Sequence, residues 1–475
     1  MFLYHVTLSP LQTADSKEHL KLELSDMLVP PVANDIQNGD HHPDGASKED
    51  LFESNDEIIQ RGEHYSPEEL QKGLTVFTAA VFIIGEMAGS GVLALPAAIV
   101  GAGWTGFGLL VLCCFASGYC GTVLGRSWAT LRERYSEYKG HVRYPYSAIG
   151  EKAYGRWASV AVTVCINITL IGVCVVFLIL AAGNLSNLVN LHVADVGKTG
   201  KLRIWLVICF AVLLPCSWLG TPMDFWGIAV GASVATAVAC LMICVCIALD
   251  MPSDLNTVEQ PTVSFESFFS AFGTILFSFG GASTFPTIQT DMKKCSKFPI
   301  SVFWAYVGVV SMYLPVSILG FMAYGKDIKS NILESVEHEG HNTATVLLDI
   351  VLVLITLHLL FSFVIVINPV SQSFEEFFNI PQGFSVERCL LRTAIMCFIL
   401  GIGELIPNFG PILSLIGGST VTALTFVFPC LFYLRIERNI PLHIKVFLYE
   451  LIAVGIFGGV VSTYSAINDI RKVFS

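Results

Sequence analysis

Charge is the commodity this chain has least of. Of its 475 residues, 14% are Asp, Glu, Lys or Arg and 53% are hydrophobic. A soluble domain of that length needs a charged surface, so the shortage excludes one. Metal-binding spacing is missing too: no loop carries a CxxC or a Cys/His cluster, and a metal centre is not expected. There is no nucleophile–base pairing, phosphate loop or metal-ligand spacing, which argues against an enzyme. No short alternating strands are present, and their absence excludes a β-barrel. Met1–Thr7 is too short for a signal peptide and lacks a basic start, so the first apolar segment is expected to direct insertion.

Long apolar runs are what the chain has instead. Each is about 20 residues, enough to cross a hydrocarbon core of about 30 Å. The expected fold is an all-α polytopic membrane protein with about 11 transmembrane helices. The spans are placed at about 74–100, 103–125, 157–188, 203–220, 227–249, 266–290, 300–323, 345–371, 388–405, 410–434 and 445–468. Residues 1–72 are polar and acidic, hold much of the net charge of −11 and cannot bury a core. They are expected to form a disordered tail before a transporter domain over 73–475. Most of the 14 cysteines fall inside apolar runs, where they serve as small packing residues. No disulfide is expected in the outer loops.

Lys and Arg set the orientation. Arg126, Arg132, Arg134, Lys139, Arg143, Lys152 and Arg156 lie between spans 2 and 3. Lys293, Lys294 and Lys297 follow span 6, and Arg435, Arg438 and Lys445 follow span 10, whereas the 250–264 loop has neither residue type. With eleven spans all the basic loops share one side, so the N-terminus is expected in the cytosol and the C-terminus opposite.

Two apolar segments are interrupted. Phe82–Pro96 contains Gly85, Gly89, Ser90 and Gly91, and Phe277–Pro286 contains Gly280 and Gly281. Proline follows the last glycine of each cluster by five positions, at Pro96 and Pro286. Glycine exposes backbone and proline removes a donor. Lipid tolerates such a break only where freed backbone lines a cavity or meets a ligand. Matched breaks in two halves point to a transporter's binding site. Spans 1–5 (74–249) and 6–10 (266–434) then read as two repeats of opposite topology, with discontinuous first helices and span 11 outside the repeats.

Chemistry is expected at these breaks. The free N–H groups at Gly89, Ser90 and Gly91 suit a carboxylate, since a half-helix N-terminus carries partial positive charge. Close helix packing by small residues is the competing account. Ser278, Gly280, Gly281 and Ser283 would meet a substrate's ammonium group and side chain, with room left by Ala282. Asn167 on span 3 is a further substrate contact. Glu86 lies three and four residues before Gly89 and Ser90, on the same face if the helix continues. A carboxylate at that depth is a coupling-ion candidate for a proton or Na⁺, or else half of a silent ion pair. His358 and Ser362 share a face of span 8 and are coupling candidates as well; ordinary packing is the alternative for the histidine. Asp224 reads as a first-turn carboxylate of span 5. Arg392 and Glu404 bracket span 9 and are expected to snorkel to opposite interfaces. Asn167 begins a sequon at membrane depth, and Asn184 begins one only marginally accessible.

Three stretches carry a family resemblance. Gly89-Ser-Gly-Val-Leu-Ala-Leu-Pro96 with Gly103-Trp104, Phe277–Gln289 with Met292-Lys293, and Ile406–Gly417 occur in order over about 74–468. Pro222–Trp226 is a weaker fourth. Together they resemble the amino acid/auxin permease family of the APC superfamily, whose members look like the bacterial leucine transporter in fold. The resemblance implies a 5+5 inverted repeat and secondary active symport of amino acids, driven by a proton or sodium gradient through alternating access. It implies an α-carboxylate held at the first break and an ammonium at the second. No cofactor is implied beyond the coupling ion, and the expected partners are an amino acid and the lipid bilayer, with no nucleic acid and a monomeric state. The membrane is the plasma membrane or an endosomal or lysosomal one. Two features depart from the family pattern: Glu86 stands where many relatives are neutral, and Ala282-Ser283 follows the glycine pair where a polar residue or histidine is expected. An amino acid sensor with little net transport is the alternative function.

Overall fold

The computed structural model describes residues 73–140, 142–189, 197–218, 225–336, 343–381 and 383–474. The acidic tail and Asp224 lie outside the described residues. Within these bounds the architecture is helical, joined by one isolated backbone bridge between Leu74 and Met292.

Helices α1 (Val76–Met87) and α2 (Gly91–Ala102) divide the first expected span, and their axes bend by 61°. α3 (Trp104–Arg134) and α5 (Arg156–Leu188) follow, with a short α4 (Pro145–Tyr154) between them. α6 (Lys198–Trp218) and α7 (Phe225–Leu249) complete the first half. The second half opens on another divided span, α8 (Phe265–Ser278) and α9 (Phe285–Thr290). It continues through α10 (Phe298–Tyr324), α11 (Thr343–Phe377), α12 (Val386–Leu405), α13 (Phe409–Ile436) and α14 (Leu442–Phe474).

A helix lies at each expected span, but fewer are long and apolar enough to cross a membrane. Seven described helices qualify, or eight with the bent α1–α2 pair counted as one span. Two of the three spans that fall short have local causes. α8 stops after 14 residues at the glycine break. α12 holds Glu387, Arg388, Arg392 and Glu404 within 20 residues.

Burial sorts the helices into centre and rim. Ten of the twelve residues of α2 are buried, so it sits in the interior. The most apolar stretch of α13 is 67% buried, whereas that of α6 is 17% buried and faces outward. α13 reaches the centre by close approach: a Cβ on Gly417 would overlap the Gly273 carbonyl of α8. From Gly417 to Val421 and from Ala423 to Val427 its turns widen to π geometry, a distortion common at functional sites.

The charges of α12 correct the expectation for Arg392. It is 1% exposed instead of snorkelling, because Glu375 at the end of α11 offers a buried partner. Arg392 Nε donates to Glu375 Oε1 at 2.6 Å, and its other nitrogens donate to the Ser217 carbonyl at 2.6 Å and Asn368 Oδ1 at 3.0 Å. Arg388 Nε donates to the same carboxylate at 2.9 Å. Glu404 pairs with Arg203 across 3.4 Å. Asn184 is likewise not at an accessible margin: it is fully buried, with Asn331 Nδ2 donating to it at 3.4 Å.

Candidate functional site

Two half-helix ends meet at the centre. α1 ends at Met87, and Ala88, Gly89 and Ser90 are unwound before α2 begins. α8 ends at Ser278, and Phe279–Thr284 are unwound before α9. The last carbonyls of a helix have no intrahelical partner. Here one hydroxyl serves both ends: Tyr313 Oη, on fully buried Tyr313 of α10, lies 2.7 Å from the Met87 carbonyl and 2.9 Å from the Ser278 carbonyl. A second contact fixes the crossing. A Cβ on Gly91 would stand 2.8 Å from Ser278 Cα, so only glycine admits α2 this close to α8.

A cavity opens on the basic-loop side of the breaks. Glu86 lines it, with Asn167 from α5, and with Ser283, Thr284 and Thr287 from the second break and α9. Thr163 of α5, Ser373 of α11, and Tyr144, Tyr146 and Ser147 around the start of α4 complete the polar lining. Ile166, Leu170, Ile365, Val366 and Pro369 supply an apolar wall. The space is about 820 Å³, its open mouth included. Glu86 is exposed to it, and no ion pair to Glu86 occurs among the described residues. Asn167 Nδ2 donates to Ser373 Oγ at 3.0 Å and to the Thr163 carbonyl at 2.9 Å, which fixes the side-chain oxygen as its open acceptor.

The cavity mouth is pinned. Arg143 forms an ion pair with Glu376 near the end of α11, and Tyr144 Oη donates to the same carboxylate at 2.8 Å. α4 is thereby held against α11. Beneath it, Leu74 N donates to the Asp291 carbonyl at 2.7 Å, and Lys293 N donates to the Leu74 carbonyl at 3.0 Å. The start of α1 and the segment after α9 are stitched by backbone.

A second concavity lies on the other side of the breaks, toward the 250–264 loop. It is bounded by Ala94, Ser267, Thr274 and Asn408, with Glu266, Asp469 and Lys472 at its edge. Lys472 Nζ donates to Glu266 at 3.2 Å and to Asp469 at 3.0 Å.

The expected site residues divide into three groups. Glu86, Asn167 and Ser283 converge on the first cavity. Gly89 meets the coupling candidates: its Cβ position is 3.8 Å from His358 Nε2, and His358 Nδ1 lies 3.3 Å from Thr236 Oγ1 of α7. Ser362 Oγ stands 3.5 Å from His358 Nε2. Ser90, Gly91, Ser278, Gly280 and Gly281 pack at the crossing. Ser90 is buried, the Ser278 hydroxyl donates to the Thr274 carbonyl at 2.9 Å, Gly280 lies against Val421, and Gly281 lies against Met87. The break also ends the register that would stack Glu86 on Gly89 and Ser90. Glu86 faces the cavity, while Gly89 lies at the level of His358 and Phe177.

Tyr313, Tyr144, Ser373 and Glu376 were not singled out from sequence. A tyrosine in an apolar run reads as packing. Pro145 at the first position of α4, followed by Gly155 just after its end, was the available signal for the short helix at the mouth.

A helical membrane protein with two broken core segments, and a concavity on either side of them, has the build of a carrier. The sequence profile described as "Transmembrane amino acid transporter protein" matches residues 72–468, and the chain belongs to this family, the amino acid/auxin permeases. It is a transporter-family protein and not an enzyme. Among curated relatives, "Amino acid transporter AVT1E" of Arabidopsis thaliana is 24% identical over 86% of this chain and 75% of its own length. "Lysine histidine transporter-like 4" is 25% identical over 79% of this chain and 84% of its own, and "Amino acid transporter AVT3A" is 26% identical over 82% and 88%, both from the same plant.

Proposed function

We propose that this protein is a secondary active transporter that carries amino acids by alternating access, in symport with a proton or Na⁺. The observation that carries the reading is the cavity on the basic-loop side of the two breaks, where Glu86 of α1, Asn167 of α5 and Ser283 of the second break converge. The first N–H groups of α2 suit the substrate carboxylate. The backbone and hydroxyls of the second break, Phe279–Thr284, suit its ammonium group. Glu86 is the coupling carboxylate, with His358 and Ser362 as a second coupling locus beside Gly89. The relatives' names support amino acids as the cargo.

The spans make a 5+5 inverted repeat with discontinuous first helices and an additional α14, eleven spans in all. The basic loops face the cytosol, so the cavity with Glu86 opens inward. The protein resides in the plasma membrane or an endosomal or lysosomal membrane, as a monomer, with residues 1–72 as a cytosolic tail.

The test is uptake of labelled amino acids into proteoliposomes, at two external pH values, with and without Na⁺. Gradient-driven uptake that Glu86→Gln uncouples supports the reading. Full uptake by Glu86→Gln with unchanged pH and Na⁺ dependence removes Glu86 from coupling. Binding without gradient-driven uptake favours a sensor.

A further inference from the structure

The lining of the cavity on the basic-loop side of the breaks carries one formal charge, and it is negative. Glu86 supplies it, and no Lys, Arg or His lines the space among the described residues. Arg143 at the mouth is already paired with Glu376. Glu86 itself is exposed to the space, with no ion pair among the described residues. A second observation comes from α5. Asn167 Nδ2 is committed to the Thr163 carbonyl at 2.9 Å and to Ser373 Oγ at 3.0 Å, so the group it has left to offer is an acceptor. The cavity thus presents oxygen acceptors and no cation, beside an apolar wall that includes Ile166, Leu170 and Val366.

We infer that the cargo is an amino acid whose side chain ends in an ammonium group, of the lysine class, and that Glu86 is the residue that selects it. The inference deepens the transport reading of this cavity and rests on it. An ionised carboxylate at membrane depth is costly without a counter-charge. A neutral amino acid brings an ammonium and a carboxylate that cancel, so the filled cavity keeps its negative charge until a proton or Na⁺ joins it. A lysine-class substrate brings the missing positive charge with it. An acidic amino acid sets a second negative charge beside Glu86, and like charges in contact are strongly unfavourable.

Shape agrees with charge. A lysine side chain is a four-carbon stem with a compact head of three donors. The apolar wall suits the stem. Glu86, the Asn167 oxygen and the Ser283 hydroxyl are acceptors for the head. Glu86 stands three residues before Gly89, so a substrate held by its main-chain groups at the breaks reaches the carboxylate with its side chain. One carboxylate then takes either the coupling ion, beside a neutral substrate, or the ammonium of a basic one.

The experiment is calorimetric titration of the full-length protein in detergent, without Na⁺, with three probes of similar length: lysine, norleucine, which has the same stem and no ammonium, and 2-aminoadipate, which ends in a carboxylate. Lysine should bind about tenfold or more tighter than norleucine, the worth of one charge-assisted hydrogen bond, and 2-aminoadipate weakest. Glu86→Gln should bring lysine and norleucine within about twofold of each other, and its norleucine binding reports that the variant is folded. Glu86→Asp, which keeps the charge, should keep the order. Lysine binding no tighter than norleucine, 2-aminoadipate binding best, or a lysine preference untouched by Glu86→Gln overturns the inference. Uptake of the same probes into proteoliposomes separates it from the transport reading. A lysine preference without gradient-driven accumulation of any probe keeps the substrate class and removes symport, whereas accumulation without the preference does the reverse.

Discussion

Tyr313→Phe removes one oxygen and leaves the ring in place, so it isolates the junction between the two broken segments. In the native protein the hydroxyl lies within 2.9 Å of both the Met87 and the Ser278 carbonyls, at a residue with no exposure. One O–H carries one proton, so the variant loses one hydrogen bond outright; the Met87 carbonyl keeps the Gly89 N–H at 3.0 Å, and the Ser278 carbonyl is the one left without its donor. A buried acceptor left without its donor costs about 1–3 kcal/mol. The cavity term is small because the ring, tilted against Phe279 with centroids 5.7 Å apart, still fills its place. A bias of about 1–3 kcal/mol changes a conformational equilibrium about 5- to 150-fold. Two measurements read it. Thermal unfolding in detergent should begin at lower temperature. Alkylation of a cysteine introduced by Ser283→Cys, inside the cavity, should differ in rate at least about fivefold with and without the Tyr313→Phe substitution. Equal melting and equal alkylation would show that the hydroxyl does not hold the half-helices together, and the account of the junction would fail.

Three further outcomes follow from packing and charge. Gly417→Ala drives a methyl into the Gly273 carbonyl, so α8 and α13 must part, and a loss of about 1–3 kcal/mol or more is expected by thermal unfolding. Glu375→Gln leaves Arg388 and Arg392 buried without their carboxylate, a loss of about 3–5 kcal/mol, whereas Glu404→Gln near the rim should cost much less in the same assay. Lys152 holds the exposed Glu137 carboxyl below its ordinary range through a hydrogen bond, so this pair stabilises the α3–α4 connection above the ordinary glutamate pKa and stops doing so as pH falls through the lowered value. The melting difference between native protein and Glu137→Gln should therefore be small, present at neutral pH and absent in acid.

The breaks were legible because glycine and proline act through the backbone, and backbone effects depend on local sequence alone. Helix positions were legible for a similar reason: apolar runs of membrane length leave few other structures. The whole-span count was less so, since α12 carries four charges and α8 ends at its glycines. Arg392 illustrates what was hidden. Its partner Glu375 lies 17 residues back on a different helix, and only the turn between α11 and α12 brings the two within 2.6 Å. The face shared by Glu86 and Gly89 failed for the opposite reason, because the break itself ended the helical register on which it relied. Tyr313 left no mark in sequence, as its role depends on two carbonyls from two distant segments.

The bridge between Leu74 and Met292 has a mechanical consequence. α1 and α9 are the two half-helices bordering the same mouth, and the bridge joins their outer ends through two backbone hydrogen bonds at 2.7 and 3.0 Å. Swinging one alone would tear both bonds. The mouth therefore has, in effect, one hinge instead of two, and a pull on the chain just before Leu74 is transmitted to the far half of the molecule without passing through the cavity lined by Glu86.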